Sequence, residues 1–173
     1  MIIENFSDDF PDVKVCSGVF FEDKRGFLKK TMFGENLNIL INPIREVIIS
    51  NSKKNVIRGM HYQKKPDELI KLISCSSGHI LDVFINIDKK SKNYGKYGSI
   101  ELSEKDSISL LIPPNYAHGY LVKSNAANVV YLQSGDYNPE TEDGINPLGF
   151  GFNWGIKTPI ISKKDSEFNN LNI

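Results

Sequence analysis

The sequence predicts an all-β sandwich or barrel. Three observations carry this expectation: short β-branched or aromatic runs recur along the chain, each run closes in turn-forming residues, and helical periodicity is sparse. At 173 residues the chain suits one domain built on one core, and no internal repeat or low-complexity linker divides it before a polar tail from about residue 162.

The first strand is expected over residues 15–21 and is closed by the turn at 22–26. A short helix is expected over 33–40. A strand at 46–50 runs into the turn at 51–55, and an extended segment over 56–63 follows. The next pair, 69–75 and 80–87, is separated by the Ser- and Gly-containing turn 76–78. In the first of these Leu69, Lys71, Ile73 and Cys75 share a face. In the second, Leu81, Val83, Ile85 and Ile87 oppose Ile80, Asp82, Phe84 and Asn86. Both faces are largely apolar, as in central strands. Lys71 and Asp82 stand out there, because a buried ionisable group carries a desolvation cost unless paired or used. A snorkelling lysine and a surface aspartate give the same pattern. Strands at 99–102 and 107–112 lead to a Pro-Pro entry and tight turn over 113–119, in which Asn115 suits a left-handed conformation. A strand at 128–132 completes the series, and the Asn-rich tail has at most a turn of helix before it frays.

Lys plus Arg and Asp plus Glu both number 21, so the formal charge is zero and the global basic field of a nucleic-acid binder is missing. The lysine pairs 53–54, 64–65, 89–90 and 163–164 read as solvated surface beside turns. Cys16 and Cys75 are too few for a disulfide framework, which points to a reducing compartment. The first ten residues turn acidic at once and do not resemble a secretion signal, and no apolar run approaches a membrane span. A cytoplasmic protein with neither nucleic-acid nor membrane partner is expected.

Three histidines are candidates for chemistry. His61 lies in Val56-Ile57-Arg58-Gly59-Met60-His61-Tyr62-Gln63, where flanking Arg58 and Gln63 suit a base beside anion-binding groups, although a satisfied core histidine would look alike. His118 closes Pro113-Pro114-Asn115-Tyr116-Ala117-His118-Gly119, and His79 reads as a surface residue. A jelly-roll metal site pairs two histidines two residues apart with a nearby glutamate. Position 63 is Gln and no second His is near, so neither metal nor cofactor is expected.

These two motifs, together with Asp23-Lys24-Arg25-Gly26-Phe27 and Tyr131 followed by Tyr137-Asn138-Pro139, resemble the dTDP-4-dehydrorhamnose 3,5-epimerase family, in order, from about residue 15 to about 166. The resemblance implies a cupin-like jelly-roll barrel, a homodimer that exchanges strands, and cofactor-free action on a nucleotide-diphosphate-linked 4-keto-6-deoxy sugar of bacterial surface polysaccharide. It implies His61 as the base, Asp165 as its orienting carboxylate, Tyr131 as the acid on the opposite sugar face and Lys71 at the C4 oxygen. Arg25 and Arg58 would meet diphosphate and sugar, and Gln63, His118, Asp82 and Tyr137 would line or support the pocket.

The chain departs from the family where the nucleotide binds: Lys30 stands for a usual Glu, and Glu46 and Ile48 for a usual Gln and Asn. A Glu46 acceptor with a Lys30 donor suits cytosine or guanine better than thymine, which points to CDP or GDP; a surface Lys–Glu pair is the plainer reading. Alternatives to a C3 and C5 epimerase on this substrate are an epimerase of one carbon, the dTDP-linked family activity, a ketoisomerase, a metal-dependent oxygenase and a non-catalytic sugar-nucleotide-binding cupin.

Overall fold

The computed structural model describes residues 1–31, 41 and 43–171. The helix expected over 33–40 lies outside them. In chain order the first strands are β1 (Ile2–Ser7), β2 (Phe10–Ser17), β3 (Val19–Asp23), β4 (Gly26–Lys30), β5 (Glu46–Lys53), β6 (Ile57–Gln63) and β7 (Lys71–Ser77). They are followed by β8 (His79–Asn86), β9 (Tyr97–Ser103), β10 (Ile108–Ile112), β11 (Tyr116–Val122), β12 (Ala126–Gln133), β13 (Glu142–Gly144) and the short helix α1 (Lys163–Glu167).

Two antiparallel sheets face each other in a cupin-like jelly roll. One is ordered β1-β2-β10-β7-β12-β5 and the other β13-β6-β11-β8-β9; β3 and β4 form a separate hairpin. Phe10, Val13, Ile73, Leu110 and Val129 of the first sheet meet Ile80, Phe84, Leu102, Tyr120 and Val122 of the second in the central core. The outer face of the second sheet is not left to water. Val83, Ile85, Ala117 and Leu121 pack there under Phe150 and Trp154 of the chain's last third. Burial on both faces is why β8 reads as apolar on both parities.

Several boundaries differ from the sequence reading, each for a local reason. The run 15–21 is divided at Gly18, where an added Cβ would lie 1.8 Å from the Lys30 carbonyl oxygen, so the hairpin base closes against bare backbone. β7 begins at Lys71, leaving Leu69 in the irregular segment before it. The turn expected over 113–119 ends at Asn115, which has φ 70°, and His118 lies within β11. β1, β4 and β13 were not foreseen, since none shows a run of β-branched residues long enough to stand out. The tail is anchored: Ser162 caps α1 by accepting from the Asp165 N–H at 3.0 Å, and Leu171 packs on the outer cluster. Among the described residues no helix is long and apolar enough to cross a membrane.

Candidate active site

A cleft of about 260 Å³ opens between the sheets at the end where β6, β7, β11 and β12 come together. His61, on β6, pairs in register with His118 on β11, so both rings project from the same face. Tyr131 enters from β12 on the opposing sheet, and its ring meets that of His118 edge-on with centroids 5.9 Å apart. All three line the cleft with Lys71, Arg58 and Gln63.

His61 is oriented from behind. Its Nε2 lies 2.8 Å from Asp165 Oδ1, and Asp165 Oδ2 accepts the Gly59 N–H at 3.2 Å. Burial works to raise the Asp165 carboxyl, but the bonds from His61, Gly59 and Ser162 outweigh it and hold the group below its ordinary value. Gly59 can approach because it has φ 113° and no side chain: a Cβ there would stand 2.5 Å from the His118 carbonyl oxygen. Phe168 closes the far side of the imidazole, its ring 5.9 Å away, in space left by Gly144, whose added Cβ would lie 2.4 Å from that ring.

The two ionisable groups singled out on β7 and β8 are interior, so the snorkelling and surface readings fail. Asp82 is completely buried and binds His118 Nε2 through both oxygens, at 3.0 and 2.8 Å. Burial raises its carboxyl, opposed by His118 and Lys71. Lys71 Nζ donates to the His61 carbonyl at 3.0 Å, and burial lowers its ammonium to about 8 against the pull of Glu142 and Asp82. Tyr131 is held well above the ordinary phenol value, first by burial and then by the neighbouring Tyr120 and Asp82.

The other expected residues divide. Tyr137 is at the rim, and its hydroxyl donates to Glu142 Oε2 at 2.5 Å. Gln63 borders the cleft, but its amide is spent on the adjoining loop: Nε2 donates to the Asp67 and Asp136 carbonyls, and Oε1 accepts the Asn138 N–H. Glu46 lies one step along β5 from the cleft residue Ile48, on the same face, and its Oε2 is buried with no hydrogen-bond partner among the described residues. Arg25 and Lys30 belong to the β3–β4 hairpin and do not line this cleft. Arg25 is held at the hairpin turn by Asp23, Nη2 to Oδ2 2.6 Å. His79 pairs with Glu101 at 2.7 Å on the surface.

Sequence reasoning missed Glu142, which lines the cleft between Tyr137 and Lys164, and Phe168, Ser50 and Tyr120. Glu142 is placed by β13 pairing with Gln63, a contact no local pattern announces. Among the described residues no three His, Cys, Asp or Glu side chains converge as metal donors would.

A family model described as dTDP-4-dehydrorhamnose 3,5-epimerase matches residues 7–172. The protein of that name from Shigella flexneri is 32% identical over 162 residues, covering 91% of this chain and 90% of its own. The one from Neisseria gonorrhoeae is 37% identical over 162 residues, but the chain spans only 48% of that relative's length. The crystal structure of the Sulfolobus tokodaii enzyme superposes with a TM-score of 0.88 at 33% identity, over 98% of this chain and 94% of that one. The Legionella pneumophila enzyme, in complex with dTDP-4-keto-L-rhamnose, gives 0.89 at 27% identity, over 98% and 92%.

Proposed function

The chain belongs to the dTDP-4-dehydrorhamnose 3,5-epimerase family, and we propose that it inverts C3, C5 or both in a nucleotide-diphosphate-linked 4-keto-6-deoxy sugar of surface-polysaccharide synthesis, without a cofactor. The observation that carries this reading is the placement of His61 and Tyr131 on opposing sheets around one cleft. A sugar ring between them presents one face to each, as inversion requires.

His61 removes the proton beside the C4 ketone, and Asp165 fixes the ring and stabilises the resulting imidazolium. The C–H electrons move to the C4 oxygen, where the Lys71 ammonium offsets the enolate charge in a buried setting. Tyr131 then gives its phenolic proton to the same carbon from the other face and the carbonyl reforms. His118, tied to Asp82, keeps Tyr131 upright by edge contact. Arg58 supplies a planar donor set for the phosphates or sugar.

The assembly we propose is a homodimer in the cytoplasm. β5 pairs on one side only among the described residues and exposes Val47 and Ile49, at 60% and 70%, on its outer face. The hairpin exposes Phe21 and Leu28, at 59% and 55%. A second copy would cover these surfaces, and its hairpin would deliver Arg25 and Lys30 to this cleft. The Glu46 oxygen, without a partner among the described residues, supports a base edge that offers an exocyclic amino donor, cytosine or guanine, although the relatives are named for dTDP sugars.

Incubation with dTDP-, CDP- and GDP-linked 4-keto-6-deoxyglucose in deuterated water tests the reading. Deuterium is expected at C3, C5 or both, fastest for the CDP or GDP form. Binding without exchange in any form would make the protein a sugar-nucleotide binder, and fastest exchange with dTDP would overturn the nucleotide assignment.

A further inference from the structure

Among the polar groups that line the cleft, one amide has no part in the reaction described above. Gln133, on β12, borders the cleft and is only 8% exposed. Its main chain is fixed on both sides: the carbonyl accepts the Arg45 N–H at 2.8 Å, and the Ser134 N–H that follows donates to the Ile70 carbonyl at 3.1 Å. The side-chain amide has no hydrogen-bond partner among the described residues. Gln63 differs, since its amide is taken up by the adjoining loop. A nearly buried amide without a protein partner calls for one from whatever fills the cleft.

Gln133 stands in register with Lys71 on one side and Glu46 on the other. Neighbouring strands are about 4.8 Å apart, which puts the amide one step from the Lys71 ammonium. Tyr131 is two residues back along β12 and lines the cleft from the same face. With Lys71 at the C4 oxygen, Gln133 reaches a substituent on a carbon next to C4, on the Tyr131 side of the sugar. The two neighbouring carbons offer different groups. C5 carries a methyl group, which gives an amide nothing to bond, whereas C3 carries a hydroxyl that donates and accepts as the amide does.

Tetrahedral geometry makes the side decisive. While the C3 hydrogen faces His61, the hydroxyl on that carbon leans toward Tyr131 and therefore toward Gln133. After inversion the hydrogen is on the Tyr131 side and the hydroxyl leans toward His61. We propose that Gln133 binds the C3 hydroxyl of the substrate, turns the C3 hydrogen toward His61 and loses the hydroxyl on inversion. It touches the substrate but takes no proton.

The inference rests on the reaction proposed above, and two readouts keep them apart. The first is affinity, measured by calorimetry in a His61→Asn background that prevents turnover. The ligands are dTDP-linked 4-keto-6-deoxyglucose and its 3-deoxy counterpart, or the CDP- or GDP-linked pair if that sugar exchanges faster. Gln133→Met keeps the side chain's reach without the amide; it should weaken the first ligand about tenfold and the second by less than about twofold. Gln133→Ala should give the same contrast, and if it folds poorly Gln133→Met decides alone. Equal weakening of both ligands, or of neither, would overturn the contact with the hydroxyl. The second readout is deuterium entry at saturating substrate, in variants that keep His61. In Gln133→Met, entry at C3 should fall on the order of fivefold, while any entry at C5 stays near wild type. Unchanged entry at C3, or a wild-type protein that exchanges C5 alone, would overturn the orienting role. A wild-type protein that exchanges neither carbon would refute the proposed reaction instead, and the calorimetric contrast would still decide whether Gln133 holds the hydroxyl.

Discussion

At the scale of single residues, the site depends on charges kept where burial opposes them. Lys71 is the clearest case: its ammonium, ordinarily near 10.4, is lowered to about 8 by burial. The charged form is what stabilises an enolate, so kcat/KM should fall as pH rises through about 8. Lys71→Arg keeps a cation at all working pH values and should lose that alkaline limb, whatever its effect on the plateau. An unchanged limb in Lys71→Arg would show that another group controls it. The sign for stability is the reverse: the disfavoured ammonium opposes folding below about pH 8, and this opposition fades as pH climbs toward the unfolded value. Asp165 behaves oppositely, since its folded carboxyl lies below the ordinary value of about 3.9. Its stabilising contribution is fully present above that value and is lost as pH falls through the folded one. Asp165→Asn should lower proton exchange and product formation together, on the order of 10²-fold, because it disturbs the base itself. Tyr131→Phe should instead leave exchange running while inversion stops, a contrast that NMR of the substrate in deuterated water reads directly. At this scale the sequence was informative about which residues gather. His61, Tyr131, Lys71, Arg58, Gln63 and Tyr137 do line one cleft, with Asp165, His118 and Asp82 in contact with them or with each other. It was uninformative about what a side chain is already bonded to. Nothing in the sequence reveals that the Gln63 amide is consumed by the loop at 136–138, or that Tyr120, an aromatic that reads as core, carries its hydroxyl against two serines.

At the scale of elements, the alternation in β7 and β8 was legible because both strands are central and each parity meets a distinct apolar layer. Less legible were places where backbone meets backbone. The register between β6 and β11 shifts between His118 and Tyr120, opposite Gly59, and this irregularity brings the Gly59 N–H to Asp165. Gly59→Ala would place a methyl group 2.5 Å from the His118 carbonyl oxygen, at a φ of 113° that side chains avoid. It should cost about 2 kcal/mol or more and reduce activity by tilting both His61 and Asp165. Thermal melting and steady-state rates together check this, since a loss of stability with normal activity would mean the dyad does not depend on the bulge. The five-residue α1 shows the same economy. Its only buried residue is Asp165, and the Ser162 cap fixes the turn that presents it. A capped turn this short leaves only a faint sequence signal, whereas the contact that gives it purpose spans 104 positions.

At the scale of the whole molecule, the role proposed for Arg25 depends on a second subunit. Its motif belongs to the family pattern, yet the residue sits on a hairpin whose outer residues face solvent, not its own cleft. Lys29 pins the base of that hairpin, donating from Nζ to the carbonyls of Cys75, Ser103 and Asp106 at 2.6, 3.0 and 2.9 Å, so swinging the whole hairpin onto its own cleft would break three bonds. The homodimer proposed above would place it without distortion: related by a two-fold axis, each subunit would offer its hairpin to the other's cleft while covering the exposed outer face of β5. Sedimentation at micromolar concentration should then give a dimer, and Ile49→Lys, which puts a charge on that face, should shift it toward monomer. Subunit mixing tests the exchange more sharply. Arg25→Ala should impair substrate binding and His61→Asn should abolish proton removal, so each homodimer alone has low activity. In a mixed dimer, the subunit that keeps His61 receives a wild-type Arg25 from its partner, and that one cleft is whole. The other cleft carries both lesions. Random reassociation of equal amounts should therefore restore about a quarter of the wild-type activity. If Arg25 served its own subunit's cleft, every site in the mixture would carry at least one lesion and mixing would restore nothing.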